Sequence, residues 1–74
     1  MNIPLLIKMA NQIGAFFEAM PDSDVATADV ATHIKRFWNP QMRRTLLAHV
    51  DDEGDQKLRG IVRNALHNHR EQFL

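Results

Sequence analysis

The run Asp51-Asp52-Glu53-Gly54-Asp55 offers enough carboxylates to attract a divalent cation, and His67-Asn68-His69 offers two imidazoles. A calcium loop of EF-hand type begun at Asp51 needs glycine at its sixth position and glutamate at its twelfth. Those positions hold Gln56 and Val62, so the acidic run reads as a solvated loop. Histidines two apart on a helix point to different faces, unlike the i, i+4 pair that ligates zinc, and His33 and His49 stand alone. No metal site is expected. Ser23 is the one serine and falls in a capping turn, while cysteine, tyrosine and a glycine-rich phosphate loop are all lacking. A catalytic site needs a nucleophile or base, a group to orient it, and a pocket. No catalytic residue and no bound cofactor are therefore expected of this chain.

The remaining candidate is a cluster of cations. Lys35, Arg36, Arg43 and Arg44 bracket Phe37-Trp38-Asn39-Pro40, and residues 35–50 carry four basic and no acidic side chains in a chain of net charge zero. Three readings compete. A protein interface is favoured, because arginine and tryptophan are enriched among residues that dominate binding energy. The second is a solvated face pairing with Asp29 or Asp51, worth a few tenths of a kcal/mol. The third is a nucleic-acid module in which helix, turn and basic helix enter a groove, although four cations make few phosphate contacts. Neighbours on a helix lie about 100° apart, and Phe37 continues the Val30–Ile34 stripe. Trp38 is thus expected at the rim, beside Arg43 and Arg44, whose planar forks suit a partner's carboxylates or carbonyls. The expected interface is Trp38, Arg43, Arg44, Lys35 and Arg36, joined by Phe16 and Met9 from the first helix.

The elements that must position these residues read as four helices. Apolar residues recur at three and four with no period-two stretch, which predicts an all-α, single-domain bundle of three main helices and a short or frayed fourth. The first runs over about residues 3–20, with Pro4 in its first turn and Pro21 stopping it. Beyond its stripe of Ile3, Leu6, Ile7, Ala10, Ile13, Phe17 and Met20, this helix also carries Leu5, Met9 and Phe16. An apolar surface that wide is normally buried on more than one side. Some of it should face a partner or, in the isolated chain, a second copy. Asp22 or Ser23 caps a second helix over about 24–38, whose β-branched residues weaken its intrinsic propensity. Asn39-Pro40 pairs a preferred N-cap with a preferred first helical residue, ending the second helix and starting a third over about 40–50. A fourth, over about 56–69, contains Gly60, which should fray or delay its start, and residues 70–74 read as a loose tail. The predicted core is Ile3, Leu6, Ile7, Ala10, Ile13, Phe17, Val30, Ile34, Phe37, Met42, Leu46, Ile61, Val62 and Leu66.

Seventy-four residues suffice for one small domain, which is marginal unless a staple or partner supports it. No apolar run approaches the ~20 residues that span a bilayer, and Met1-Asn2-Ile3-Pro4 lacks the basic start of a signal peptide. A soluble, cytoplasmic domain is expected.

Leu6-Ile7-Lys8-Met9-Ala10-Asn11-Gln12-Ile13-Gly14, with Phe16-Phe17 and Met20-Pro21-Asp22, resembles the opening of the delta subunit of soluble NAD-dependent formate dehydrogenases. The likeness sharpens at His33-Ile34-Lys35-Arg36-Phe37-Trp38-Asn39-Pro40-Gln41-Met42-Arg43-Arg44, which is similar to that family's central block. Leu58, Ile61-Val62-Arg63 and Ala65-Leu66 resemble its closing helix. Two positions depart: Gly60 stands where the family is expected to have a helix-starting proline, and the Asp51–Gln56 loop is more acidic. The resemblance implies a non-catalytic accessory chain bound to the large catalytic subunit of a cytoplasmic complex. Its parent enzyme would oxidise formate and pass electrons through iron–sulfur clusters and flavin to NAD, with a molybdenum or tungsten pterin in the large subunit. The delta chain would hold none of these groups, in keeping with its lack of cysteine.

Overall fold

The computed structural model describes residues 2–74. Its elements are α1 (Ile3–Phe17), α2 (Ser23–Phe37), α3 (Pro40–Glu53), α4 (Gly60–Asn68) and a C-terminal 3-10 helix (Arg70–Phe73). Among the described residues there is no strand, as the apolar spacing predicts.

Side-chain caps start three of the helices. Asn2 accepts from the Leu5 N–H at 3.0 Å, Asp22 from those of Asp24 and Val25 at 3.0 and 3.1 Å, and Asn39 from that of Met42 at 2.9 Å. Each supplies an acceptor to amides that have none within the helix. The acceptor left open between Asp22 and Ser23 is thus Asp22. Pro40 occupies the first turn of α3, as its fixed φ and missing N–H favour.

The helix ends differ from expectation where tertiary contacts intervene. α1 closes at Phe17 rather than Met20, because its last turn opens into a bend that delivers the chain to Pro21. α3 continues to Glu53, so Asp51, Asp52 and Glu53 are helical rather than part of a loop. It stops at Gly54, whose φ of 98° lies in the left-handed region that favours glycine. α4 starts only at Gly60. Before it, the Asn11 side chain donates to the Lys57 carbonyl at 3.0 Å and accepts from the Arg59 N–H at 2.9 Å, which ties the incoming loop to α1.

The core sits around α2, which is packed by α1, α4 and the C-terminal 3-10 helix. Leu6, Ala10, Val30, Ile34, Leu46, Val62 and Leu66 are buried in it as predicted, and Ile3, Ile7, Ile13, Phe17, Met42 and Ile61 are partly buried against it. This packing holds α2 despite its β-branched residues. Thr27, buried within it, satisfies its hydroxyl by donating to the Ser23 carbonyl at 2.8 Å.

Residues 70–74 are not a loose tail. Phe73 has no exposed surface and is the largest fully buried side chain, with Leu58 and Trp38 in the same cluster. A five-residue sequence too short for a periodic pattern hides such a docking, because its burial depends on a socket built by other helices.

α1 and α4 approach closely at Gly14. A Cβ there would lie 2.7 Å from Val62 Cγ2 and 2.9 Å from Ile61 Cγ2. Gly14→Ala is therefore expected to destabilise the fold by ~1–3 kcal/mol, the usual effect of overpacking, despite alanine's better helix propensity. A urea melt with the wild-type midpoint or higher would contradict this close contact. At the same crossing Glu18 pairs with Arg59 at 2.6 Å, and Asp51 pairs with Arg70 elsewhere. Hydrogen bonds from these arginines hold both carboxyls below their ordinary range. Both pairs are exposed and contribute little to stability.

Candidate functional site

The corner between α2 and α3 divides its residues between core and surface. Trp38 is 5% exposed and Arg43 6%, so neither stands at a rim, whereas Phe37, predicted for the core, is 68% exposed. The cause is local backbone geometry. α2 ends at Phe37, and Trp38 takes φ −89°, ψ 139°, an extended conformation. Helical rotation no longer sets its direction. Its indole turns into the core, and Phe37 remains on the surface.

Arg43 is the buried bracket of this corner. Its Nη1 donates to the carbonyls of Lys35 at 3.1 Å and Trp38 at 2.9 Å, and its Nη2 to that of Leu74 at 3.4 Å, while Nε has no partner. Lys35 and Trp38 lie at the C-terminal end of α2, where carbonyls lack intrahelical partners and carry partial negative charge. The guanidinium caps that end and ties the 3-10 helix to it. Lys35, Arg36 and Arg44 are exposed. The four cations therefore do not form one surface cluster, and neither Asp29 nor Asp51 is paired with any of them among the described residues.

What the structure brings together lies beside the corner. Met9, Ile13 and Phe16 of α1, Phe37 of α2, the edge of Trp38, and Met42 of α3 line an open groove of about 470 Å³. An aromatic chain runs along it. Phe16 and Phe17 meet edge to face at 5.1 Å between centroids, as do Phe17 and His33 at 6.0 Å, while His33 and Phe37 lie tilted at 38° with centroids 4.7 Å apart. The Arg36 guanidinium carbon stands 5.8 Å from the centroid of the Phe37 ring, within cation–π range. Phe16 is 76% exposed, and Leu5, on the same side of α1, is exposed as well.

Of the residues expected to act together, Met9 and Phe16 line this groove, Arg36 borders it through Phe37, and Trp38 contributes an edge from beneath. Lys35 and Arg44 are exposed but line no part of it, and Arg43 is interior. The wide apolar face of α1 signalled the groove in advance. Phe37 and His33 were not foreseen there; a helix ending one residue before Trp38 would have been the signal. A smaller depression of about 160 Å³ with a mixed lining lies by the Gly54–Leu58 loop, but large apolar side chains stand free in the aromatic groove.

Fold and groove together define a small all-helical domain whose main exposed feature is an apolar, aromatic-lined surface. The family model for the NADH-dependent formate dehydrogenase delta subunit, FdsD, matches residues 5–66. The chain belongs to that family. The match takes in all of α2 and α3 and nearly all of α1 and α4, hence every groove residue. No curated protein and no solved structure gives a significant match. As a formate dehydrogenase delta subunit, the chain is one component of a complex with other subunits. No helix among the described residues is long and apolar enough to cross a membrane.

Proposed function

We propose that this chain is a non-catalytic accessory subunit that binds the large catalytic subunit of a cytoplasmic NAD-dependent formate dehydrogenase and supports its assembly, cofactor retention or stability. The observation that carries this reading is the groove. Phe16 and Phe37 are the most exposed large apolar side chains among the described residues, ahead of Leu74, Leu5 and Val25, and exposed aromatic patches mark interaction sites. Membership of the delta-subunit family supports a partner among the other subunits of that complex. The contact surface is Met9, Phe16 and Phe37, bordered by Arg36 and extended by Lys35 and Arg44, with Trp38 and Arg43 holding it from below. Burial of Arg43 also weakens the nucleic-acid reading of the Lys35–Arg44 corner, because three cations remain to meet phosphates.

The test is co-expression of the tagged chain with the dehydrogenase subunits. The wild-type chain should capture the large subunit, and the isolated chain should oxidise no formate. Phe16→Ser combined with Phe37→Ser should keep the wild-type melting temperature, since both rings are exposed, yet weaken capture by ~30-fold or more, as loss of an aromatic hot spot does. Full capture by the double variant would place the interface elsewhere. Formate oxidation by the isolated chain would overturn the accessory role.

A further inference from the structure

Val25, Asp29, Thr32 and Arg36 recur along α2 at intervals of four, three and four, so they stand on one side of that helix, away from the buried Val30 and Ile34. Val25, Thr32 and Arg36 are exposed and Asp29 is half-buried. Asp29 and Arg36 border one shallow depression, with Thr32 and His33 between them. Its α1 wall is Phe17, which carries no charge. The ion pairs among the described residues join Glu18 to Arg59 and Asp51 to Arg70, so neither Asp29 nor Arg36 meets an opposite charge there. This outer face of α2 thus holds one acid and one base, two turns apart, both without an ionic partner.

That arrangement is complementary to itself. In a two-fold pair, residue i of one copy meets j of the other, and j meets i. A face of one sign repels its own copy, whereas Asp29 and Arg36 lie at equal distances on either side of the point between Thr32 and His33. With two α2 helices antiparallel about an axis at that point, each Asp29 stands level with Arg36 of the other copy. In the same register Lys35 stands level with Val30 and Asp24 with Gln41, so no like charges meet. A parallel pair would set Asp29 against Asp29 and Arg36 against Arg36. Thr32, near the axis, is small enough to let the helices approach to the ~8–10 Å of packed helices. Val25 and the Phe37 ring at the edge of the depression, both exposed, add apolar area. A partner offering one sign of charge would leave either Asp29 or Arg36 unmet, and a second copy meets both, twice.

We propose that the free chain pairs with a second copy of itself through this face, with the α2 helices antiparallel and Asp29 of each copy bonded to Arg36 of the other. A standard interface takes ~800 Å² from each partner, roughly a sixth of the 4608 Å² surface of this chain. One face of a 15-residue helix covers less, so the pair is weak and dissociates on dilution. The proposal concerns the chain by itself and stands or falls apart from the accessory-subunit reading.

Sedimentation equilibrium of the full chain at ~1 µM to ~1 mM, the span of weak complexes, tests it. Wild type should pass from monomer to dimer across that range. Arg36→Asp, which sets acid against acid, should raise the dissociation constant by ~10-fold or more, and adding Asp29→Arg to it should restore the dimer by exchanging the two charges. A second measurement does not depend on the half-buried Asp29 tolerating replacement. The chain has no cysteine, so Thr32→Cys introduces a single thiol near the axis, and mild oxidation should join two copies by a disulfide. Lys8→Cys, exposed on α1, should give no such product. A wild-type chain monomeric throughout, a dimer indifferent to Arg36→Asp, or crosslinking through Lys8→Cys in place of Thr32→Cys would each overturn the proposal. None of these results bears on capture of the large subunit.

Discussion

Phe73→Ala is expected to lower the melting midpoint of the free domain by more than ~12 °C. The ring is fully buried in a 3-10 helix that packs on α2, α3 and α4. Truncating a buried phenylalanine costs ~3–5 kcal/mol, combining lost transfer energy with the cavity left behind. A domain of this length has a total stability of about 4–11 kcal/mol at ~0.05–0.15 kcal/mol per residue, so the loss is a large share of the whole. Each kcal/mol moves the midpoint of so small a domain by ~4–8 °C. Leu74→Ala, one residue on and more than half exposed, should stay within about 0.5 kcal/mol of wild type. Thermal melts followed by circular dichroism separate the two cases, and similar curves for both variants would show that the segment does not belong to the core.

The second large effect concerns two adjacent arginines. Arg43→Ala is expected to destabilise the domain by ~3 kcal/mol or more, whereas Arg44→Ala should change stability by less than about 0.5 kcal/mol. Arg43 serves the carbonyls of Lys35 and Trp38 at the end of α2, and removing it strands the buried Trp38 carbonyl and leaves the partly buried Lys35 carbonyl without this donor. Each buried polar group left unpaired costs ~1–3 kcal/mol, and the vacated volume adds to that. Arg43→Lys should recover only part of the loss, because a compact ammonium on a flexible stem does not reproduce the fork that reaches Lys35, Trp38 and Leu74. Guanidinium-chloride titrations of the three variants read this order directly. Equal midpoints for Arg43→Ala and Arg44→Ala would mean that both side chains are surface groups.

That contrast also locates what could be read from residue order. Chemistry confined to neighbours along the chain was legible. The apolar spacing at three and four, the caps at Asp22 and Asn39 and the proline at the head of α3 depend on contacts within a turn or two. So does the surplus width of α1: the angular positions of Leu5, Met9 and Phe16 on a helix follow from their numbers alone, and Leu5 and Phe16 do stand in solvent. The block from His33 to Arg44 carried the family resemblance for the same reason, since it is a pattern in residue order.

The tertiary structure decided where helical bookkeeping stops applying. Trp38 and Phe37 exchange their expected places because the chain leaves helical geometry between them, and beyond that point the core directs the indole inward. Arg43 turns inward because α3 crosses the end of α2 and leaves its final carbonyls away from water, a demand that comes from packing and not from the residues beside it in sequence. The docking of Phe73 and the late start of α4 under the Asn11 clamp have the same origin. Asn11 lies 46 and 48 positions from the two groups it binds, and Arg43 lies 31 from Leu74. Local rules of periodicity and capping contain no term for contacts at such separations. Helix number and the apolar surplus were therefore written in residue order, while the groove's aromatic wall and the buried arginine beneath it exist only once the helices have packed.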